Sequence, residues 1–129
     1  MKAITKEWIS KAEADWNSAG LLFRARKHPY YDAACFHTQQ CAEKYVKARL
    51  EEASIAFAKT TPDLKKLLRL VLTVEPSWSA LGQDLIFLTD FALDSQCPGN
   101  SATKAETKEA ITRCGNVRRI VRRAFGLKP

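Results

Sequence analysis

Apolar residues recur at intervals of three and four along nearly the whole chain, and nowhere do they alternate residue by residue. That period belongs to one face of an α-helix, so a chain of this kind is confined to burying helices against helices. The clearest run is Trp8, Ala12, Trp16, Ala19 and Phe23. Thr5 stands where an N-cap belongs, with Glu7 in the first turn. The helix is expected to stop near Lys27, because His28 precedes Pro29 and the residue before a proline avoids helical dihedrals. Trp8 and Trp16, on this stripe, read as core packing.

The second helical stretch, Tyr30 to Leu50, is less ordinary. Ala33, Ala34, Cys35, Cys41, Ala42, Tyr45, Val46, Ala48 and Leu50 keep the helical spacing, yet Gln39, Gln40, Glu43, Lys44 and Lys47 are set among them. Glu43 and Lys47 are one turn apart with the acid first, the favourable order for a pair on one face. A helix this dense in small apolar and polar groups is expected to be central and packed on more than one side. Its polar groups must be paired, so they either knit the helices together or line a ligand or dimer cleft. His37 is either a partly buried structural histidine or a hydrogen-bonding group in such a cleft with Gln40 and Lys44.

Three further helices follow. Thr61 as N-cap and Pro62 at the first helical position open a short one on Leu64, Leu67, Leu68 and Val71. Glu75-Pro76 ends it, and Pro76 or Ser77 begins a fourth carrying Trp78, Leu81, Leu85, Leu88 and Ala92. Pro98, Gly99 and Asn100 mark a loop over Ser95 to Ser101. Thr103 and Glu106 form a capping-box pattern before the last helix, which buries Ala110, Cys114, Val117, Val121 and Ala124 and ends at Gly126. The expected architecture is all-α: an antiparallel up-and-down bundle of four main helices plus a short fifth. With 129 residues, 46% of them hydrophobic, residues 1–129 make one domain able to bury a core unaided.

Function classes narrow from the same residues. No apolar run reaches the roughly 20 residues of a membrane span, and the N-terminus lacks a signal peptide's apolar core, so a cytoplasmic protein is expected. Cys35, Cys41, Cys97 and Cys114 contain no CxxC pair, and three of them fall in helices as small buried residues. His37 and Cys41 lie one turn apart, but Cys35 points about 200° away from His37 and no second ligand pair exists, so no metal or other cofactor is expected.

The second helix resembles the HEPN family, whose members carry roughly A-x-F-x-x-Q-Q-A-A-E-K-x-x-K-A. Ala34, Phe36, Gln39, Gln40, Ala42, Glu43, Lys44, Lys47 and Ala48 fall on that pattern. Trp8, Ala12, Glu13, Asp15 and Trp16 are similar to the family's first helix. Thr61-Pro62-Asp63-Leu64 with Leu67 follows its T-H-D-L-x-x-L, with Pro62 in place of the histidine. The resemblance implies a homodimer, often acting with a small nucleotidyltransferase, sometimes as a toxin–antitoxin pair. Many members are metal-independent ribonucleases with an R-x(4–6)-H motif before the last helix. Histidine suits removal of the ribose hydroxyl proton near neutral pH, and arginine meets the charge that builds on phosphate.

Aligned on Pro98, this chain places Gln96 where the arginine would be and Ser101, or Asn100, where the histidine would be. Gln96 carries no charge and a serine hydroxyl is a poor base. The only histidines, His28 and His37, follow Arg24 and Arg26 at the wrong spacings. The expectation is a protein without catalytic residues.

The net charge is +7, and residues 104–129 hold eight Lys or Arg against two Glu. On a wheel from Val117, Arg118, Arg119, Arg122 and Arg123 fall at about 100°, 200°, 140° and 240°, opposite the apolar residues. This stripe reads either as an anion or nucleic-acid surface or as a solvated face favoured by the helix dipole. The leading reading is a non-catalytic HEPN-like protein that binds nucleotide, RNA or a nucleotidyltransferase-type partner. The rivals are a degenerate ribonuclease using Arg69, Arg113 or the arginine stripe with His37, and a structural interaction bundle.

Overall fold

The computed structural model describes residues 1–60 and 63–129, and every described regular element is helical. Four long helices, α1 (Ala3–Arg24), α2 (Tyr31–Glu52), α4 (Gly82–Ser95) and α5 (Lys104–Ala124), are joined by a short α3 (Leu64–Val71) and a 3-10 segment, Pro76–Leu81. The expected all-α bundle is the fold observed.

Helix α2 is the hub. It packs against α1, α3, α4 and α5, and twelve of its 22 residues are buried. Lys2 and Thr5 meet Glu52 at one end of the α1–α2 pair, and the Tyr30 amide donates to the Leu22 carbonyl at the other, so the two run antiparallel. Cys35 touches Thr107 near the starts of α2 and α5, and Tyr45 touches Arg122 further along, so those two run parallel. Tyr45, Leu50, Leu64, Leu67, Leu85 and Val117 are among the fully enclosed side chains of the core.

Several element ends differ from the sequence pattern. Thr5 is not the N-cap of α1. The helix begins at Ala3 with Lys2 in the capping position and no side-chain cap. Thr5 is completely buried and its hydroxyl donates to Glu52 Oε1 at 2.9 Å, a tertiary partner replacing the local one. The helix ends at Arg24 rather than Lys27, because Ala25 is already extended. The start signal read at Thr61 and Pro62 lies outside the described residues, and the observed cap of α3 is Asp63, whose carboxylate accepts from the Lys65 and Lys66 amides. The fourth helix opens as a 3-10 segment; Trp78 and Leu81, both buried, are three apart and so share a face at three residues per turn. The capping box at Thr103 and Glu106 forms as its spacing predicts.

Candidate functional site

His37, Gln39, Gln40, Glu43, Lys44 and Lys47 of α2 do not converge on one open cleft; their contacts fall into two sets. His37 Nδ1 lies 2.7 Å from Asp15 Oδ1 of α1, and Lys44 binds the other oxygen of the same carboxylate. Gln40 donates to Gln39 at 2.8 Å, Gln39 to Glu43 at 3.2 Å, and Lys47 to Glu43 at 2.9 Å. Lys47 also donates to the Lys59 carbonyl and lies 5.5 Å from the Trp8 ring centroid. Gln39, Glu43 and Lys47 are 3%, 7% and 1% exposed, so their polar atoms satisfy each other instead of facing solvent. The residues that complete these sets, Asp15, Lys59 and Trp8, lie elsewhere in the chain, which spacing within one helix does not reveal.

The arginine stripe is likewise divided. Arg118 grips Glu13 of α1 with two 2.7 Å hydrogen bonds, Tyr45 donates its hydroxyl to Glu13 at 2.5 Å, and Arg122 donates to Tyr45 Oη at 3.2 Å. Burial alone would raise the pKa of Glu13, but the hydrogen bonds from Arg118 and Tyr45 and the charges of Arg118 and Arg122 outweigh it and hold the carboxyl below its ordinary value. Burial, with Glu13 as acceptor, pushes the Tyr45 phenol well up. The hydrogen bond to Glu13 raises Arg118 further. Only Arg119 and Arg123 stand exposed; Arg119 meets neutral Asn116, and the Arg123 side chain has no partner among the described residues. A wheel drawn for α5 alone shows four equivalent arginines because it contains nothing of α1.

At the loop after α4, the Gln96 amide donates to the Asp32 carbonyl at 2.9 Å, while the Asp32 carboxylate accepts from the Ala102 amide at 2.6 Å. Gly99 turns the chain with φ at +91°, where a side chain would be strained. Beside this loop is a hollow of about 470 Å³ lined by Tyr30, Tyr31, Asp32, Gln96 and Ser101, with Pro29, Ala33 and Ala102. Gln96 and Ser101 are thus brought to one place. The only charged group in that lining is the carboxylate of Asp32, the wrong sign for a phosphate, and no histidine or arginine joins it. His37 bonds to Asp15 and its ring meets Phe36; Arg113 is held by Asp84 and Glu109, so these two do not meet.

Among the described residues no cluster of His, Cys, Asp or Glu could hold a metal ion, and no helix is long and apolar enough to cross a membrane. Cys35, Cys41 and Cys114 are buried and Cys97 is exposed. Burial raises the thiol pKa of Cys35 and Cys41, which makes them poor nucleophiles.

A family model described as HEPN domain matches residues 5–124. No curated protein and no solved structure gives a match. The matched span takes in every helix from the first turn of α1 to the end of α5, including the Gln39–Lys47 motif and the loop around Gln96. The chain therefore belongs to the HEPN domain family.

Proposed function

We propose that this is a non-catalytic HEPN-domain protein that binds RNA through the outer face of α5. The observation that supports it is the contrast between two surfaces. The loop hollow, where the sequence aligns with the ribonuclease motif, holds a carboxylate and two neutral groups. The outer face of α5 presents Arg119 and Arg123 with no acidic partner among the described residues. Glu13 compensates Arg118 and Arg122, so of the four-arginine stripe Arg119 and Arg123 are left to meet phosphate.

Fluorescence anisotropy with a single-stranded RNA tests the reading. Affinity should fall steeply with salt, and Arg119→Ala/Arg123→Ala should weaken binding roughly tenfold while lowering the salt slope by about two. Binding that is indifferent to both salt and the double substitution overturns the RNA assignment. Cleavage of that RNA by the purified protein, lost in Gln96→Ala/Ser101→Ala, overturns the non-catalytic one.

A further inference from the structure

A hollow of about 360 Å³ lies between α3 and the chain that follows α2, and it shares no residue with the hollow at the loop after α4. Among the described residues, Phe57 and Ala58 line it from that chain, and Lys66, Leu67, Arg69 and Leu70 from α3. Lys66 and Arg69 are three positions apart, as are Leu67 and Leu70, so each pair sits side by side on the helix. Leu67 is buried and the two basic residues are exposed. An apolar floor therefore carries a cationic rim.

The apolar wall is held in place by the buried polar set of α2. The Lys47 ammonium donates to the Lys59 carbonyl at 2.7 Å and stands 6.0 Å from the Phe57 ring centroid. The Trp8 ring packs against the same phenyl ring at 6.2 Å, tilted by 58°. The Ile55 amide donates to the Leu50 carbonyl at 2.9 Å, which ties the chain back onto the end of α2. Phe57 is thus placed by α1 and α2 together, without help from a ligand. The cations are uncommitted: neither Lys66 nor Arg69 has a side-chain hydrogen bond, ion pair or ring contact among the described residues. The acids of the neighbourhood are engaged elsewhere. Asp63 caps α3 through the Lys65 and Lys66 amides, and Asp90 pairs with Lys65 at 3.5 Å. Among the described lining residues there is no carboxylate and no neutral hydrogen-bonding side chain.

We propose that this hollow binds a medium-chain aliphatic carboxylate, its chain on Phe57, Leu67 and Leu70 and its head group on Arg69 and Lys66. The arginine fork matches the two oxygens of a carboxylate, and the lysine adds a compact charge. Every side chain of the described lining is hydrocarbon or cationic. A base edge, a sugar hydroxyl or an amide would find no matching side chain there, whereas a plain alkyl chain leaves no polar group unpaired. The volume is at the small end of ligand cavities, which limits the chain to medium length. The site is separate from Arg119 and Arg123, so it goes beyond the RNA reading above.

Calorimetric titration of the full chain decides it, with butanoate, hexanoate, octanoate, octan-1-ol and a short peptide ending in leucine. Affinity should rise about twofold or more with each methylene added from butanoate to octanoate, as apolar surface leaves water. Octan-1-ol keeps the chain and loses the charge, and should bind at least about tenfold more weakly than octanoate. Lys66→Ala/Arg69→Ala, on exposed side chains, should weaken octanoate about tenfold or more with the thermal midpoint unchanged. Arg119→Ala/Arg123→Ala should leave octanoate binding as it is. Four results overturn the proposal: no saturable binding of octanoate, equal affinity for butanoate and octanoate, octanoate binding undiminished by Lys66→Ala/Arg69→Ala, or binding of the peptide alone, which would make the occupant the C-terminus of a partner chain. RNA affinity that depends on Arg119 and Arg123, with no octanoate binding, leaves the earlier reading standing and removes this one.

Discussion

Arg118 and Glu13 face each other across 105 positions of sequence, joined by two parallel hydrogen bonds of 2.7 Å. Their side chains are 15% and 27% exposed, so the pair is shielded but not dry. Glu13→Ala leaves Arg118 and the Tyr45 hydroxyl without their shared acceptor and Arg122 without its neighbouring negative charge. A loss of about 2 kcal/mol is expected in urea unfolding at neutral pH. A change within about 0.5 kcal/mol, the range of ordinary surface substitutions, would mean that solvent replaces the carboxylate without cost.

The same carboxyl gives the fold a definite acid response. Its folded pKa lies below the ordinary value, so between the two values the unfolded chain binds more protons than the folded one. The stabilisation is complete above the unfolded value, about pH 4.3, and is lost as pH falls through the folded value. Urea midpoints from about pH 6 down to about pH 3 should fall less steeply in Glu13→Gln than in the wild type. Parallel curves would show that Glu13 does not contribute to acid unfolding.

Lys47 is 1% exposed, and its ammonium group meets Glu43, the Lys59 carbonyl and the ring of Trp8. Lys47→Ala leaves Glu43 buried without its cation and is expected to cost about 3 kcal/mol. Glu43→Leu/Lys47→Met removes both charges at similar volume and should recover most of that loss, since buried pairs often exchange for apolar residues without penalty. A double variant no more stable than Lys47→Ala would assign the cost to the Lys59 and Gln39 partners instead.

Gly20 sits inside α1, where glycine costs a helix about 1 kcal/mol relative to alanine. Gly20→Ala should raise the thermal midpoint, because only the flexible end of Arg24 obstructs the new methyl. A midpoint that is unchanged or lowered in circular-dichroism melting would show that the Arg24 side chain does not give way.

What was legible in the chain is what is decided locally. The capping box at Thr103 and Glu106 and the period of α2 depend on neighbours a few positions away, and both stand in the structure. Thr5 departs from its capping pattern because its hydroxyl binds Glu52, 47 residues on. The four arginines looked equivalent because the acid that claims two of them is on another helix. A hollow of about 360 Å³ between α1 and α5, lined by Trp16 and Lys108 among others, leaves no mark in either helix alone, since each supplies an ordinary surface and only their pairing makes a cavity.

Asp32 has a consequence for how this sequence can change over time. By holding the Gln96 amide with its carbonyl and the Ala102 amide with its carboxylate, it fixes both ends of the loop from outside. Residues between those ends, such as Cys97 and Pro98, are exposed and are free to drift, provided Gly99 keeps its turn. Substitution at position 96 or 32, by contrast, loosens an anchor of the loop. The loop is a clasp, tolerant in its middle and exacting at its two ends.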